Sequence, residues 1–374
     1  MATRAARIVA AVLVVLAFLH WFTQGSDFEV YWRSARRFLA GAPLYPASDG
    51  TKTYRYAPGI LLPLVPLGWL PLKVALAAWY AGMVAAGWWI ARTLARRMGG
   101  PRAGTFVLVG FLGVARPFLD EFSLAQANVF LLALVVASWV AEDRGQDAWA
   151  GALVALAASV KAAPALLLLD FLLRRRWRAL AGAAACGVAV LLAPIVTYGP
   201  RGAVAVHEEW RRSLGTSAVG FVGSELNQGV FGLVALATQE APDAPLPPGP
   251  PTWIAIALAV VVCVLALVPR VRDSRRALLL FAMASATPLG WLCNFLLAWP
   301  MMTGLAATGR RLRWAVGVFG VLLLIPIYDV TGPAIEDWVF AHGLPGLGLL
   351  AFFGVAWALR DRLAWNGPAG GEPA

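Results

Sequence analysis

The chain has 374 residues, 60% of them hydrophobic and only 14% charged, with 31 Lys+Arg against 20 Asp+Glu for a formal net charge of +11. Soluble domains carry roughly 25% charged residues, so this composition excludes a soluble globular enzyme, a disordered chain and a nucleic-acid-binding domain. The positive charge is then to be read against the apolar runs rather than as a nucleic-acid signal.

Many of those runs approach the ~17–25 residues that a membrane helix needs. They are continuous rather than alternating, which points to helices and not to a β-barrel. The chain opens with Arg4 and Arg7 and the apolar run Ile8 to Phe22. That start is shared with signal peptides, but no small-x-small cleavage site follows, so a retained first helix is expected. The remaining runs give expected spans at 6–22, 72–91, 104–119, 126–141, 148–161, 163–173, 179–198, 252–269, 277–291, 294–308, 313–328 and 342–359. The fold class is therefore all-α: a polytopic membrane bundle of about 12 helices, with 10–13 compatible with the pattern. The segment 1–365 reads as a single membrane-embedded domain, and 366–374 as a disordered tail. Cys186, Cys263 and Cys293 all sit inside apolar stretches and form neither a metal pair nor a disulfide framework.

Charge orients the bundle. With both termini in the cytoplasm of a cell membrane, about 20 basic residues fall in short inner loops, among them Arg92, Arg96, Arg97, Arg102, Arg174 to Arg176, Arg270 to Arg276 and Arg310 to Arg313. Most acidic residues, including Asp27, Asp49, Asp120, Glu208, Glu240, Asp243, Asp329 and Glu336, then fall outside. So do the two long loops, 23–71 and 199–251, which places any chemistry on the outer face.

The first outer loop begins with a helix. Ser26 or Asp27 is expected as its N-cap. Phe28, Tyr31, Trp32, Ala35, Phe38 and Leu39 recur at helical spacing, with Arg33, Arg36 and Arg37 on the other side. Such a helix lies at the lipid–water interface, and Gly41 stops it. The apolar stretch from Pro58 to Pro71 is too broken by prolines to span. Asp27, at the lipid boundary, has two possible roles: a cap, or a general base for a hydroxyl nucleophile. Glu29 follows at i+2, which does not share a helical face, so a divalent metal site is not expected. Arg33, Arg36, Arg37, Lys52 and Arg55 suit either a lipid phosphate or snorkelling to headgroups.

Further along, Gln126 and Asn128 start a helix on the outer side, where they suit sugar hydroxyls or helix–helix hydrogen bonds. Lys161, one of only three lysines, stands in an apolar run just before Pro164. An ionisable group there marks a functional site, with a donor phosphate as its natural partner. The Lys161–Pro164 segment fits two short helices or one broken helix. Arg116 with Asp120 and Glu121 reads as a local ion pair, and Asp170 with Arg174 as an i, i+4 pair. His207 to Arg212 reads as a second interfacial helix, and Pro242 to Pro251 as a proline-rich spacer.

Several of these elements form an ordered series. Asp27 with Tyr31, Leu39-Ala-Gly41-Ala-Pro-Leu-Tyr45, Tyr54-Arg-Tyr-Ala-Pro58, Leu70-Pro71 and Trp79 come first. Leu124-Ala-Gln126-Ala-Asn128, Ala157 to Pro164 with Arg174 to Arg178, Leu226-Asn-Gln-Gly229 and Thr287-Pro-Leu-Gly-Trp291 follow. This series resembles the polyprenyl-phosphate-sugar-dependent membrane glycosyltransferases of family 87, in the GT-C class, which includes phosphatidylinositol-mannoside mannosyltransferases. It covers roughly residues 25–300. Ala125 stands where the family usually has Gly. Leu292-Cys293-Asn294 stands where the family usually has one or two His, leaving Asn294 as the polar group in that place.

The resemblance implies a GT-C-like bundle and a reaction. A hexose, mannose by family, would leave a polyprenyl-phosphate donor and pass with inversion to a glycolipid or glycan acceptor on the outer face. No cofactor beyond that donor is implied. The early-loop aspartate of the family carries onto Asp27 as general base. Tyr31, Arg55, Tyr56, Gln126, Asn128, Lys161, Asn227, Gln228 and Asn294 are the expected donor- and substrate-binding groups. The competing class is a multi-pass transporter or flippase, which would show internal repeats and mid-membrane ionisable groups; no clear repeat is visible in the chain.

Overall fold

The computed structural model describes residues 2–21, 25–217, 221–239, 244–326 and 331–363. The expected tail 366–374 and the acids Glu240, Asp243 and Asp329 lie outside the described residues. Among the described residues the regular structure is helical. In chain order the main helices are α1 (Ala2–Trp21), α2 (Ser26–Leu39), α3 (Leu72–Met98), α4 (Ala103–Leu112), α5 (Ala115–Leu124) and α6 (Asn128–Asp143). Then come α7 (Asp147–Val160), α8 (Ala165–Leu173), α9 (Trp177–Leu192), α10 (Ile195–Ser217), α11 (Val230–Thr238) and α12 (Pro250–Leu267). The last are α13 (Arg272–Ser285), α14 (Trp299–Thr308), α15 (Arg310–Leu323), α16 (Pro333–Ala341) and α17 (Leu344–Ala358). Short 3₁₀ segments cover Ala47–Lys52, Pro58–Leu64 and Leu292–Ala298.

Among the described residues three helices are long and apolar enough to cross a membrane: Thr3–Trp21, Leu72–Met98 and Pro250–Leu267. Three bent pairs raise this to as many as six crossings: α4 with α5 (62°), Trp177–Leu192 with Ile195–Leu214 (89°), and α16 with α17 (46°). The expected count of about twelve is not reached by helix length. Apolar runs that look continuous in sequence are cut, 104–119 at Gly113 and Val114 and 179–198 at Ala193 and Pro194. Others are simply short. At 1.5 Å per residue the 14-residue α7 is about 21 Å long, below a hydrocarbon core of ~30 Å. The break after α7 matches the Lys161–Pro164 expectation, with Lys161 extended at φ −138°, ψ 141°.

The chain forms two compact units, Met1–Val12 with Gly87–Glu121 and Gly220–Ala374, and Leu13–Ala86 with Phe122–Val219. In the first, Phe111 and Phe118 pack on the buried Trp299, whose indole N–H donates to the Val107 carbonyl (3.1 Å). Arg116 pairs with Asp120 as expected (2.9 Å). It also reaches Glu336 (2.5 Å) and the Pro326 carbonyl, partners far away in sequence. Arg275 and Arg276, expected as loop charges, are instead buried on α13. Arg276 pairs with Asp273 (3.1 Å), and Arg275 donates to the Pro269 carbonyl (3.1 Å).

In the second unit, α7 and α9 meet at glycines. A Cβ on Gly151 would lie 1.7 Å from the Ala179 carbonyl oxygen, and one on Gly182 would lie 2.0 Å from that of Ala148. The backbones touch, as small residues permit between apolar helices. Asp170 and Arg174 pair at i, i+4 (2.8 Å). α10 breaks at Gly199 (φ 67°) and Pro200, and its later part carries the expected His207–Arg212 helix. Tyr198 then donates to the Ala42 carbonyl (2.9 Å) and Trp210 to that of Arg55 (3.0 Å), laying this helix along the segment that follows α2.

Candidate active site

The site is built on the start of α2. The helix is capped by Gly25 in a left-handed conformation (φ 46°, ψ 79°), with no side-chain cap. The expected cap at Ser26 or Asp27 is thus corrected: both residues lie inside the first turn. The reason is steric. A Cβ at position 25 would stand 2.7 Å from the Ala125 Cβ, so only glycine lets the chain enter the helix here. Asp27 keeps its carboxylate for other partners while gaining from the positive end of the helix. The far end closes as the Gly41 pattern requires. Gly41 (φ 63°) and Ala42 donate to the carbonyls of Phe38 (3.3 Å) and Arg37 (2.9 Å).

The partner of Asp27 comes from a turn 99 positions on. Ala125 is left-handed at φ 51°. For a residue with a Cβ this costs about 1–2 kcal/mol. Its carbonyl accepts the Trp79 indole N–H (3.0 Å). The next residue, Gln126, donates Nε2–H to Asp27 Oδ2. Its Oε1 accepts from the Tyr31 hydroxyl (3.0 Å), which is hydrogen-bonded to the Tyr56 hydroxyl (2.8 Å). Tyr31 stacks on Tyr56 (5.3 Å) and tilts against Trp79 (5.6 Å); Trp79 also meets Phe28 (5.4 Å) and Phe130 (4.6 Å). Tyr45 donates to the Tyr56 carbonyl (2.8 Å), and the fully buried Tyr54 packs against both Tyr45 and Tyr56.

Cations face this carboxylate. Lys161, at the α7–α8 break, donates to Asn128 Oδ1 (2.6 Å), and Asn128 is buried. Burial pushes the Asp27 carboxyl above the usual aspartate range; Lys161 first, then Arg55, Lys52 and the Ser26 hydroxyl pull it back. The balance is a carboxylate more basic than a surface aspartate and still close to positive charge, which suits proton abstraction.

The structure therefore brings Asp27, Tyr31, Arg55, Tyr56, Gln126, Asn128 and Lys161 into one unit. The rest of the basic cluster is otherwise engaged. Arg37 holds Asp49 with two bonds (2.5 and 3.0 Å), Arg33 adds a longer contact to it (3.6 Å) and donates to the Lys52 carbonyl (3.0 Å), and Arg36 lies over Trp32. Arg37 holds the Asp49 carboxyl below its usual range. Asp49, which the sequence marked only as an outer acid, is the residue that closes this loop.

Asn227, Gln228 and Asn294 belong to the other unit. Gln228 is spent on backbone, donating to the Glu225 (2.5 Å) and Phe340 (3.1 Å) carbonyls and accepting from Gly346 N–H (3.0 Å). Asn227 donates to the Val222 and Pro288 carbonyls (both 2.8 Å) and Asn294 to that of Leu289 (2.9 Å). Backbone bonds Gln228 N–H to Gly290 (3.0 Å) and Leu292 N–H to Leu226 (3.2 Å) close the same junction. A Cβ on Gly229 would come within 2.8 Å of Gly290 Cα, which explains the glycine in each motif. These amides hold the Thr287–Trp291 loop in shape. Among the described residues no three His, Cys, Asp or Glu side chains gather as metal ligands.

The family model of glycosyltransferase family 87 matches residues 54–300. The chain belongs to glycosyltransferase family 87. The chain is similar to the polyprenol-phosphate-mannose-dependent alpha-(1-2)-phosphatidylinositol pentamannoside mannosyltransferase of Mycolicibacterium smegmatis, at 30% identity over 235 residues. That alignment takes in 59% of this chain and spans about half of the relative, 55% of its length. No solved structure matches the chain significantly. The family match starts at Tyr54, so Arg55, Tyr56, Gln126, Asn128 and Lys161 lie within it while Asp27 and Tyr31 precede it.

Proposed function

We propose that the chain is a membrane glycosyltransferase that moves a hexose, mannose by kinship, from a polyprenyl-phosphate donor to a glycolipid or glycan acceptor on the outer face of the cell membrane. The observation that carries the reading is Asp27. Its carboxylate is half-buried at a helix start, bonded to Gln126, and faced by Lys161 and Arg55, in a chain of family 87. The acceptor hydroxyl attacks the anomeric carbon as its proton passes to Asp27. The glycosidic bond to the donor phosphate breaks, and the phosphate leaves on its lipid. Lys161 and Arg55 supply positive charge for that leaving phosphate, where preorganised cations lower the barrier most. Direct attack of this kind inverts the anomeric centre. The arginine-rich short loops support a cytoplasmic N-terminus and a site on the outer face. Membership of a glycosyltransferase family argues against a transporter.

The test is transfer by the purified protein in liposomes. Radiolabelled polyprenyl-phosphate-mannose with phosphatidylinositol-mannoside acceptors is expected to yield a labelled, larger glycolipid. The same donor carrying glucose is expected to be the poorer substrate. Absence of transfer from both donors to any lipid or glycan acceptor would overturn the reading.

A further inference from the structure

Besides the adjacent Ser26 hydroxyl, Asp27 has a partner far along the chain. It is held by Gln126, and Gln126 is held in turn, which makes the order of the bonds informative. A primary amide has two ends of nearly equal shape and opposite polarity. If Gln126 turned over, its oxygen would face the Asp27 carboxylate and its NH₂ would face Tyr31. Something must choose the productive end.

The tyrosines make that choice. Tyr31 donates its only hydroxyl proton to Gln126 Oε1 (3.0 Å). The 2.8 Å contact between the Tyr31 and Tyr56 hydroxyls must then run from Tyr56 to Tyr31, because each hydroxyl has a single proton to give. The chain is directional: Tyr56 O–H to Tyr31, Tyr31 O–H to Gln126, Gln126 N–H to Asp27. The tyrosines are themselves fixed, stacked at 5.3 Å, with the Tyr56 carbonyl held by Tyr45. Gln126 follows a left-handed Ala125 whose carbonyl is anchored by Trp79.

We propose that Gln126 is a positioning residue that fixes the plane of the Asp27 carboxylate toward the acceptor hydroxyl, with Tyr31 and Tyr56 setting which end of the Gln126 amide faces it. This assignment rests on Asp27 being the general base, and it replaces sugar or donor contact as the main duty of Gln126, Tyr31 and Tyr56. The groups that face Asp27 besides Gln126 are Lys161 from the α7–α8 break, Arg55 and Lys52 from the loop before Pro58, and Ser26 on its own helix. Ser26 bonds the carboxylate from its own helix, whereas Gln126 ties it to the tyrosine pair.

The experiment compares Gln126→Leu, Gln126→Glu, Tyr31→Phe and Asp27→Asn in liposomes, following kcat and donor KM across pH, with thermal unfolding in detergent as the folding control. Gln126→Leu is expected to lower kcat by about 10–100-fold with KM nearly unchanged. It should also move the acid limb of the rate profile upward by roughly one pH unit, because a hydrogen bond to the charged carboxylate is lost. Gln126→Glu keeps the shape and the Tyr31 bond but sets a second carboxylate against Asp27, so the same limb moves up further. Tyr31→Phe should lower kcat by about threefold to tenfold. Asp27→Asn combined with Gln126→Leu should be no slower than Asp27→Asn alone, since both act through one group. A raised donor KM with an unmoved acid limb in both Gln126 variants would overturn the positioning role and return Gln126 to substrate binding. Full activity in Asp27→Asn would instead remove the base itself, so the two failures are told apart.

Discussion

Asp27→Asn is expected to slow transfer by about 10²–10⁴-fold, the range in which a general base contributes, while the protein unfolds at the same temperature or a higher one. Both halves follow from one fact. The carboxylate is half-buried, and burial raises its proton affinity. The neutral amide is of the same size, can still accept the Gln126 N–H, and removes a charge that the site desolvates at a cost. The catalytic loss is therefore not expected to come with a folding loss. Membrane transfer assays paired with thermal unfolding in detergent separate the two quantities. A variant that loses both together would mean that Asp27 serves as structure, as a helix cap does. The geometry argues against that, because Gly25 occupies the cap and no side-chain cap bond is made.

The largest effect on stability is expected at the contact of α7 and α9. Gly151→Leu places its first carbon where the Ala179 carbonyl oxygen already lies, at 1.7 Å, so the two helices must part. Overpacking commonly costs about 1–3 kcal/mol. Here the obstacle is backbone on both sides rather than the end of a flexible side chain, so the cost should reach or exceed that range. The effect should spread to the site, because Lys161 stands at the C-cap of α7. Gly187→Ala on the same α9 is the control, since a Cβ there meets nothing within 4 Å. It should be neutral or gain up to ~1 kcal/mol from helix propensity. Unfolding midpoints of the two variants in one detergent check the contrast; equal midpoints would show that the α7–α9 contact does not hold the unit together.

Local features were legible in the sequence because local physics decides them. The amphipathic pattern of Phe28 to Phe38 gave α2, Gly41 gave its end, and Pro164 gave the break that presents Lys161. The i, i+4 pairs of Arg116 with Asp120 and Asp170 with Arg174 stand where spacing put them. What sequence left open depends on distance along the chain. Asp27 carried two readings, cap or base, and only the approach of Ala125 to Gly25 shows why glycine takes the cap. Arg37 and Asp49 are twelve positions apart, with a loop between them and no periodicity to pair them. Asn227 and Gln228 also satisfy distant backbone groups, Asn227 at Pro288 and Gln228 at Phe340 and Gly346, which no local pattern announces. Apolar composition marked the runs but not the bends that divide them into short helices. Asp27 also precedes the part of the chain that matches the family, residues 54–300, so its proposed role rests on the geometry around it and on the resemblance of its own loop.

The most direct measurement of that role is the anomeric configuration of the product. Proton NMR of the glycoside formed by the purified protein from a polyprenyl-phosphate-sugar of known anomer reads it in one step. A base that activates the acceptor hydroxyl allows a single displacement, so the product is expected to carry the opposite configuration to the donor. Retained configuration would require two displacements or attack on the leaving-group face, and would contradict the assignment of Asp27 as the general base of a direct in-line transfer.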